Sequence, residues 1–168
     1  IEWLLQTRYK DDPDAPVRLS EADEECHPED DYQFIMGSNF REEEYHSTTW
    51  TGKESVKYLE SEDCREPFFL FTSFFGPHQP FEPPEPWNKL YDPEDIELPP
   101  QFHAEMENAP ILHDRRGDAI RQNRQKWDER TFKELLAAYY GGVAMIDHYL
   151  GLVFDKLDEM GLWDDTMV

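Results

Sequence analysis

The longest nearly continuous apolar run of the chain lies near its middle, where six of the eight residues from Phe68 to Phe75 are apolar. A run with so little alternation is typical of a strand that is covered on both faces, as in a parallel sheet. Gly76 and Pro77 follow, and neither residue continues a strand readily. The pattern therefore predicts a buried strand that ends at a rigid loop.

A helical pattern precedes this strand. We predict a helix from Ser47 to Glu60, with Ser47 or Thr48 as its N-cap, because both side chains can accept an unpaired backbone N–H. The candidate core contacts of this helix are Trp50, Val56 and Leu59. The loop that follows the strand, from Pro77 to Pro110, holds most of the thirteen prolines and is stiff rather than flexible in composition.

A second helix is predicted from Thr131 to Met160. Thr131 and Glu134 have the spacing of a capping box. At the other end, Gly161 supplies a left-handed residue and Leu162 is placed to contact Leu157. Its apolar residues recur at three- and four-residue steps and form one stripe: Leu135, Tyr139, Val143, Ile146, Leu150, Val153 and Leu157.

The order of these elements predicts an α/β fold. A further strand is predicted from Thr166 onward, parallel to Phe68–Ser73 and next to it or nearly so. The helix between the two strands then packs across one face of a mostly parallel sheet, in a right-handed crossover. Gly141 and Gly142 interrupt that helix at a point where tight packing or a bend is expected.

Composition supports a globular segment, because 38% of the residues are hydrophobic and 14% are aromatic. The chain has the length of one domain, but it begins at Ile1 and ends on a predicted strand. A half-built sheet exposes edges and apolar faces, so we expect residues 1–168 to be an incomplete piece that is poorly stable by itself.

The formal charge of −22 excludes nucleic acid as the expected partner, because phosphate binding depends on Lys and Arg. No apolar run approaches the length of a membrane span, and the two cysteines form neither a disulfide framework nor a zinc motif. The carboxylates between Asp11 and Asp31 can hold calcium or form a solvated loop, but they lack the order of an EF-hand. Localisation and oligomeric state stay open.

His78 is the main candidate for chemistry. It lies three residues beyond the apolar run, where ligands gather at the carboxyl ends of strands in open α/β sheets. An imidazole can hydrogen-bond an anion and deliver a proton near neutral pH. A structural hydrogen bond is the alternative for a histidine in a proline-rich loop.

The other candidates have competing structural interpretations. Trp87 and Tyr91 can form a sugar-stacking wall or pack their loop onto the domain. Asp147 and His148 are adjacent on a helix and diverge by about 100°, so they rarely act on one atom. The other histidines, His46 among them, are expected to be solvated. A basic cluster between Arg115 and Arg130 can bind an anionic saccharide or form ion pairs with the many acidic residues of the chain.

Three segments together resemble one known family. PFFLFTSFFGPHQPFEPPEPW at 67–87, YYGGVAMID at 139–147 and GLWDDTMV at 161–168 resemble, in this order, the sulfatases of the alkaline phosphatase superfamily. The resemblance is clear from about Tyr45 to Val168 and faint before that. It implies that residues 1–168 are the central part of a single catalytic domain and are inactive by themselves. It implies an alkaline-phosphatase-like α/β domain and a histidine, His78 here, that contacts the sulfate oxygens and assists the leaving group. It also implies that Asp147 occupies a position that is usually acidic, with a structural role.

The resemblance also implies parts that these residues do not contain. The family has metal-binding aspartates and a Cys/Ser-x-Pro-x-Arg segment upstream, whose first residue becomes formylglycine, and an Asp-His-Gly metal motif downstream. Cys26 and Cys64 do not stand in such a segment. The expected function is hydrolysis of a small-molecule or saccharide sulfate ester, with Ca²⁺ or another divalent metal and formylglycine bound outside this chain. A phosphonate or phosphodiester hydrolase, or a non-catalytic sulfatase-like binding protein, is the alternative.

Overall fold

A computed structural model describes residues 42–103 and 127–168, and two helices carry most of the packing in these ranges. Helix α1 spans Ser47–Glu60 and helix α2 spans Glu129–Glu159. Short 3-10 helices occur at Glu43–Tyr45, Trp87–Lys89, Pro93–Asp95, Pro100–His103 and Trp163–Asp165. The acidic segment Asp11–Asp31, Cys26 and the part of the basic cluster up to Lys126 lie outside the described residues.

The predicted bounds of α1 are confirmed, but its predicted cap is wrong. His46 is the N-cap residue, and its Nδ1 atom accepts the Thr48 N–H at 3.2 Å. Ser47 and Thr48 are already helical, and the hydroxyl of the neighbouring Thr49 donates to the Glu43 carbonyl at 2.6 Å. The imidazole therefore takes the place that a serine or threonine oxygen usually fills.

Helix α1 packs against α2 through a face of small residues. Its buried residues are Thr48, Thr49, Gly52, Ser55 and Leu59. A Cβ at Gly52 would lie 2.6 Å from the Cβ of Tyr149, so the backbone of α1 approaches α2 directly. The predicted core contact of Leu59 is confirmed. The predicted core contact of Trp50 is wrong, since Trp50 is 37% exposed, because the face of α1 that turns inward is the one with small residues.

Helix α2 begins two residues before the predicted capping box. Asp128 is the N-cap residue, and its Oδ1 atom accepts both the backbone N–H of Thr131, at 2.8 Å, and the Thr131 hydroxyl, at 2.7 Å. These two bonds hold the pKa of Asp128 below its usual range. The predicted capping box from Thr131 to Glu134 is therefore wrong. The Glu134 carboxylate instead accepts a hydrogen bond from Nε of Arg130 at 3.1 Å.

The predicted end of α2 is confirmed. Gly161 has a φ of +69°, and its N–H donates to the Asp158 carbonyl at 2.9 Å. The Leu162 N–H donates to the Leu157 carbonyl at 2.9 Å, which completes a Schellman motif. Leu162 also packs on the core cluster that contains Leu157 and Leu59.

The buried face of α2 differs from the predicted stripe. Its buried residues are Leu135, Ala137, Ala138, Gly141, Met145, Tyr149, Val153 and Leu157. Tyr139 and Val143, which belong to the predicted stripe, are 36% and 41% exposed. The helix is continuous through Gly141, where a Cβ would overlap the carbonyl oxygen of Trp87. Small residues thus let the loop around Trp87 approach the helix backbone.

Side chains from Phe68 to Phe75 alternate in exposure, which is the period of an extended chain. Phe69, Phe71 and Phe75 point outward and are 86%, 78% and 68% exposed. The inward side packs on α1, where the hydroxyls of Ser55 and Thr72 are 3.0 Å apart. The described ranges contain no strand ladder, so the parallel sheet with Thr166–Val168 stays a prediction.

Neither α1 nor α2, nor any other helix within the described ranges, combines the length and the apolar character that a membrane crossing requires.

Two glycines of α2 provide a matched test of this packing. We expect Gly141→Ala to lower the free energy of unfolding by about 1–3 kcal/mol, because its methyl group collides with the Trp87 carbonyl. Gly151 has no atom within 4 Å of a Cβ position, so Gly151→Ala should raise the free energy by about 0.5–1 kcal/mol. Urea unfolding of the full-length variants measures both values. Equal effects at the two positions would contradict the close approach.

Candidate active site

The loop that carries His78 is fixed to the end of the extended segment. The backbone N–H of His78 donates to the Phe75 carbonyl at 3.3 Å, and the two rings lie 5.1 Å apart. Gly76 and Pro77 make the turn between them. The His78 side chain is exposed, so solvent and substrate can reach its ring.

A short contact defines the protonation of the His78 ring. Its Nδ1 atom lies 2.6 Å from the Gln79 carbonyl oxygen. A carbonyl only accepts hydrogen bonds, so Nδ1 carries a proton and donates it. The Nε2 atom then has a lone pair in the neutral ring and a proton only in the imidazolium. His78 can therefore donate a proton from Nε2 only when the ring is doubly protonated.

A cavity of about 70 Å³ lies between the His78 loop, the first turn of α1 and the middle of α2. Polar groups reach it from the loop, through His78 and Glu82, and from α1, through His46 and Thr48. Tyr139 of α2 is part of the wall. The cavity thus places a histidine beside the N-terminus of a helix, whose dipole favours negative charge.

The position of His46 corrects an expectation from the sequence. We expected a solvated histidine, but His46 is half-buried, caps α1 and lines the cavity with His78. Because its Nδ1 atom accepts the Thr48 N–H, the proton of the neutral His46 ring is on Nε2. No sequence signal pointed to this role, because serine and threonine are the usual caps and both follow immediately.

Neither of the two aromatic candidates in the loop lines this cavity. The Trp87 ring packs 5.3 Å from that of His148, and its Nε1 atom is buried without a hydrogen-bond partner in the described part of the chain. Tyr91 is 39% exposed, and its ring lies 5.7 Å from that of Tyr140. Asp147 is exposed on α2. Among the predicted site residues His78, Trp87 and Tyr91, which all lie within the described ranges, only His78 lines the cavity.

A hydrogen bond between Tyr149 and Glu43 holds the segment in front of α1. The Tyr149 hydroxyl donates to Oε1 of Glu43 at 2.9 Å. Burial raises the pKa of the Tyr149 phenol, and the nearby Glu43 carboxylate raises it further. This bond ties the 3-10 turn before His46 to α2, and so positions the cap that forms one wall of the cavity.

The family resemblance implies a divalent metal that is bound by residues outside this chain. Within 42–103 and 127–168, no three His, Cys, Asp or Glu side chains come close enough together to hold a metal ion. The donor set of these ranges therefore does not fit a metal centre.

Comparisons of the sequence with known proteins identify its family. The Sulfatase family model matches residues 2–168. An arylsulfatase of Clostridium perfringens is 34% identical over 126 residues, which are 75% of this chain and 26% of that protein. The multifunctional alkaline phosphatase superfamily protein PehA of Trinickia caryophylli is 32% identical, over 74% of this chain and 26% of PehA. The iduronate 2-sulfatase of Mus musculus is 25% identical, over 69% of this chain and 23% of that protein.

The chain belongs to the sulfatase family, within the alkaline phosphatase superfamily, as its sequence motifs predicted. It spans about a quarter of the length of these curated relatives. Family membership implies an α/β fold of the alkaline phosphatase type, although the described part of the chain is helical.

The bond between Tyr149 and Glu43 predicts a pH effect on stability. A phenol whose pKa is raised on folding stabilises the protein below its ordinary pKa of 10.0, and this contribution is lost as the pH rises through the higher folded value. We expect the stability of the full-length protein to fall above pH 10, and the fall to be smaller in Tyr149→Phe. At pH 7, Tyr149→Phe should cost about 1 kcal/mol for the lost hydrogen bond.

Tyr140→Phe is the matched control, because the Tyr140 side chain is 38% exposed on the same helix. It should keep the pH profile of the parent in thermal unfolding from pH 8 to 11. If Tyr149→Phe and Tyr140→Phe have the same profile, the bond to Glu43 does not determine the alkaline loss of stability.

Proposed function

We propose that the full-length protein hydrolyses a sulfate ester and that His78 donates the proton to the leaving oxygen. The observation that carries this proposal is the fixed hydrogen bond from Nδ1 of His78 to the Gln79 carbonyl, which directs the acidic function to Nε2. Membership in the sulfatase family and the similarity to an arylsulfatase and an iduronate 2-sulfatase support the reaction class.

The proposed step conserves atoms and charge. A nucleophile from segments other than these would form the new bond to sulfur; as the bond between sulfur and the ester oxygen breaks, its electron pair stays on that oxygen, and the proton from Nε2 of His78 moves to it. The ring is then neutral and keeps its Nδ1–H bond to Gln79. Because His78 is exposed, solvent can return the Nε2 proton for the next turnover.

The dipole of α1 and the imidazolium of His78 provide positive potential beside the cavity. The family resemblance implies that a divalent metal such as Ca²⁺ and formylglycine, from segments other than these, bind the sulfate and supply the nucleophile. Contact of Trp87 or Tyr91 with the substrate stays a prediction, and the exposed Tyr91 is better placed than the packed Trp87.

A phosphonate monoester or phosphodiester hydrolase is the second candidate. The similarity to PehA, a protein named as a multifunctional member of the superfamily, favours it. Rates of the full-length protein on 4-nitrophenyl sulfate, a 4-nitrophenyl phosphonate monoester and bis(4-nitrophenyl) phosphate distinguish the two reactions. A higher kcat/KM on either phosphorus ester would replace the sulfatase proposal. No turnover on any of the three would favour a non-catalytic binding protein.

The role of His78 predicts an effect that depends on the leaving group. Removing one positioned proton donor commonly costs about 10²- to 10⁴-fold in rate. We expect His78→Ala to lower kcat by this factor for an alkyl sulfate, whose alcohol leaves poorly, and by about 10-fold or less for 4-nitrophenyl sulfate. Steady-state kinetics of the full-length enzyme on both esters measures the difference.

Two further variants separate the proton donor from the loop structure. An asparagine amide can take the place of the Nδ1–H group, so His78→Asn should keep the bond to Gln79 but lose as much rate as His78→Ala. His148→Ala removes a histidine that packs on Trp87 and should keep the parent's preference between the two esters. Full activity of His78→Asn on the alkyl ester would leave His78 with a structural role only.

A further inference from the structure

His46 caps α1 with a ring that can change its charge. Its Nδ1 atom accepts the backbone N–H of Thr48 at 3.2 Å, and this bond needs the lone pair that only a neutral ring can have at Nδ1. The side chains that proteins usually place at this position, such as those of asparagine and serine, keep their acceptor oxygen through the neutral pH range. A proton on Nδ1 of His46 therefore breaks the cap of α1.

The surroundings of the cap favour the neutral form of His46. The ring lies at the N-terminus of a helix of 14 residues, whose dipole disfavours positive charge, and the first turn of α1 has no acidic residue. In the 3-10 turn before the cap, the Glu43 carboxylate is bonded to the Tyr149 hydroxyl. Glu42 and Glu44 are exposed, so solvent screens their charges. A charged His46 thus loses a hydrogen bond and gains little in return.

The two histidines of the cavity differ in what their Nδ1 atoms do. Nδ1 of His78 donates to the Gln79 carbonyl at 2.6 Å, and this bond persists when the ring becomes an imidazolium. Nδ1 of His46 accepts a hydrogen bond and loses it on the same change. Both rings line one cavity, so a positive charge on His78 makes a second one on His46 less favourable still.

The titratable groups on the other walls of the cavity agree with a single positive charge. Glu82, on the loop, brings a carboxylate that favours a cation in the cavity. Tyr139 is the titratable residue that lines it from α2. The helix dipole opposes a cation at His46, whereas the bond to Gln79 is compatible with one at His78. The hydrogen bonds therefore assign the charge to His78.

We propose that His46 is a positioning residue and that its protonation switches the site off at low pH. A neutral His46 holds the first turn of α1, which forms one wall of the cavity beside His78. The inference rests on the proposed function, in which His78 has to be an imidazolium. The two histidines then need opposite charge states. The rate has a maximum between the loss of the cap at low pH and the loss of the His78 proton at high pH.

The test follows kcat of the full-length enzyme on propyl sulfate from pH 5 to pH 9. We expect the parent to lose rate on the acid side, by up to about 10-fold per pH unit. His46→Asn keeps a cap acceptor that does not titrate, so its acid-side loss should be absent or begin about one pH unit lower. His46→Ala has no cap at any pH and should be slower than the parent at the optimum by about 5-fold, the equivalent of about 1 kcal/mol.

His148→Ala is the matched control, because it removes a histidine that packs on Trp87 and does not line the cavity. It should keep the acid-side profile of the parent. The inference is overturned by an equal acid-side loss in His46→Asn and the parent, by a parent without such a loss, or by a His46→Ala variant that is as fast as the parent at every pH. In each of these cases the leaving-group effect of His78→Ala still decides the proposed function.

A parent that hydrolyses no sulfate ester overturns the proposed function, and thermal unfolding of the full-length variants then tests the cap by itself. Because the folded state holds His46 neutral, the contribution of the cap to stability is complete at high pH and is lost as the pH falls. The Tm of His46→Asn relative to the parent should therefore rise by about 1 °C or more between pH 8 and pH 5. The same difference in Tm at both pH values refutes the switch.

Discussion

The direct contact between Gly52 of α1 and Tyr149 of α2 sets the geometry on which the candidate site depends. With no side chain at Gly52, the two helices approach until the Tyr149 ring lies on the α1 backbone. Tyr149 then reaches Glu43, and Glu43 in turn accepts the hydroxyl of Thr49 through its carbonyl. One glycine thus fixes the first turn of α1, and with it one wall of the His78 cavity, relative to the middle of α2.

The sequence predicted those features whose signals are local. The start and end of α1 and the Schellman motif at Gly161 depend on a few neighbouring residues, and the structure confirms them. Both N-caps were wrong for a common reason, because an earlier side chain, that of His46 or Asp128, reached the free N–H groups first. Whether it does so depends on the backbone path into the helix, which residue preferences do not specify.

The buried face of α2 was harder to predict, because that helix is apolar on more than one side. Tyr139 and Val143 fit a regular stripe, but Ala138 and Gly141 are buried in their place. The contact that determines which face of α2 is buried comes from the Trp87 carbonyl. This carbonyl approaches α2 at Gly141, where a residue with a side chain would not fit. His78 was a candidate from its place after the apolar run and stays a prediction, whereas the place of His46 beside it depends on the packing of α1 against that loop.

The outward row of Phe69, Phe71 and Phe75 has a consequence for the synthesis of the protein. The window from Phe68 to Ser73 has high β-propensity and no charge, which is the composition of segments that pair with other chains. The helix that covers part of its inner side begins more than fifty residues later, at Glu129. At about 5–20 residues per second, a ribosome reaches this helix roughly 3 to 10 s after the window. Chaperone binding to the nascent chain thus bears on the yield of this protein, beside the stability of its finished fold.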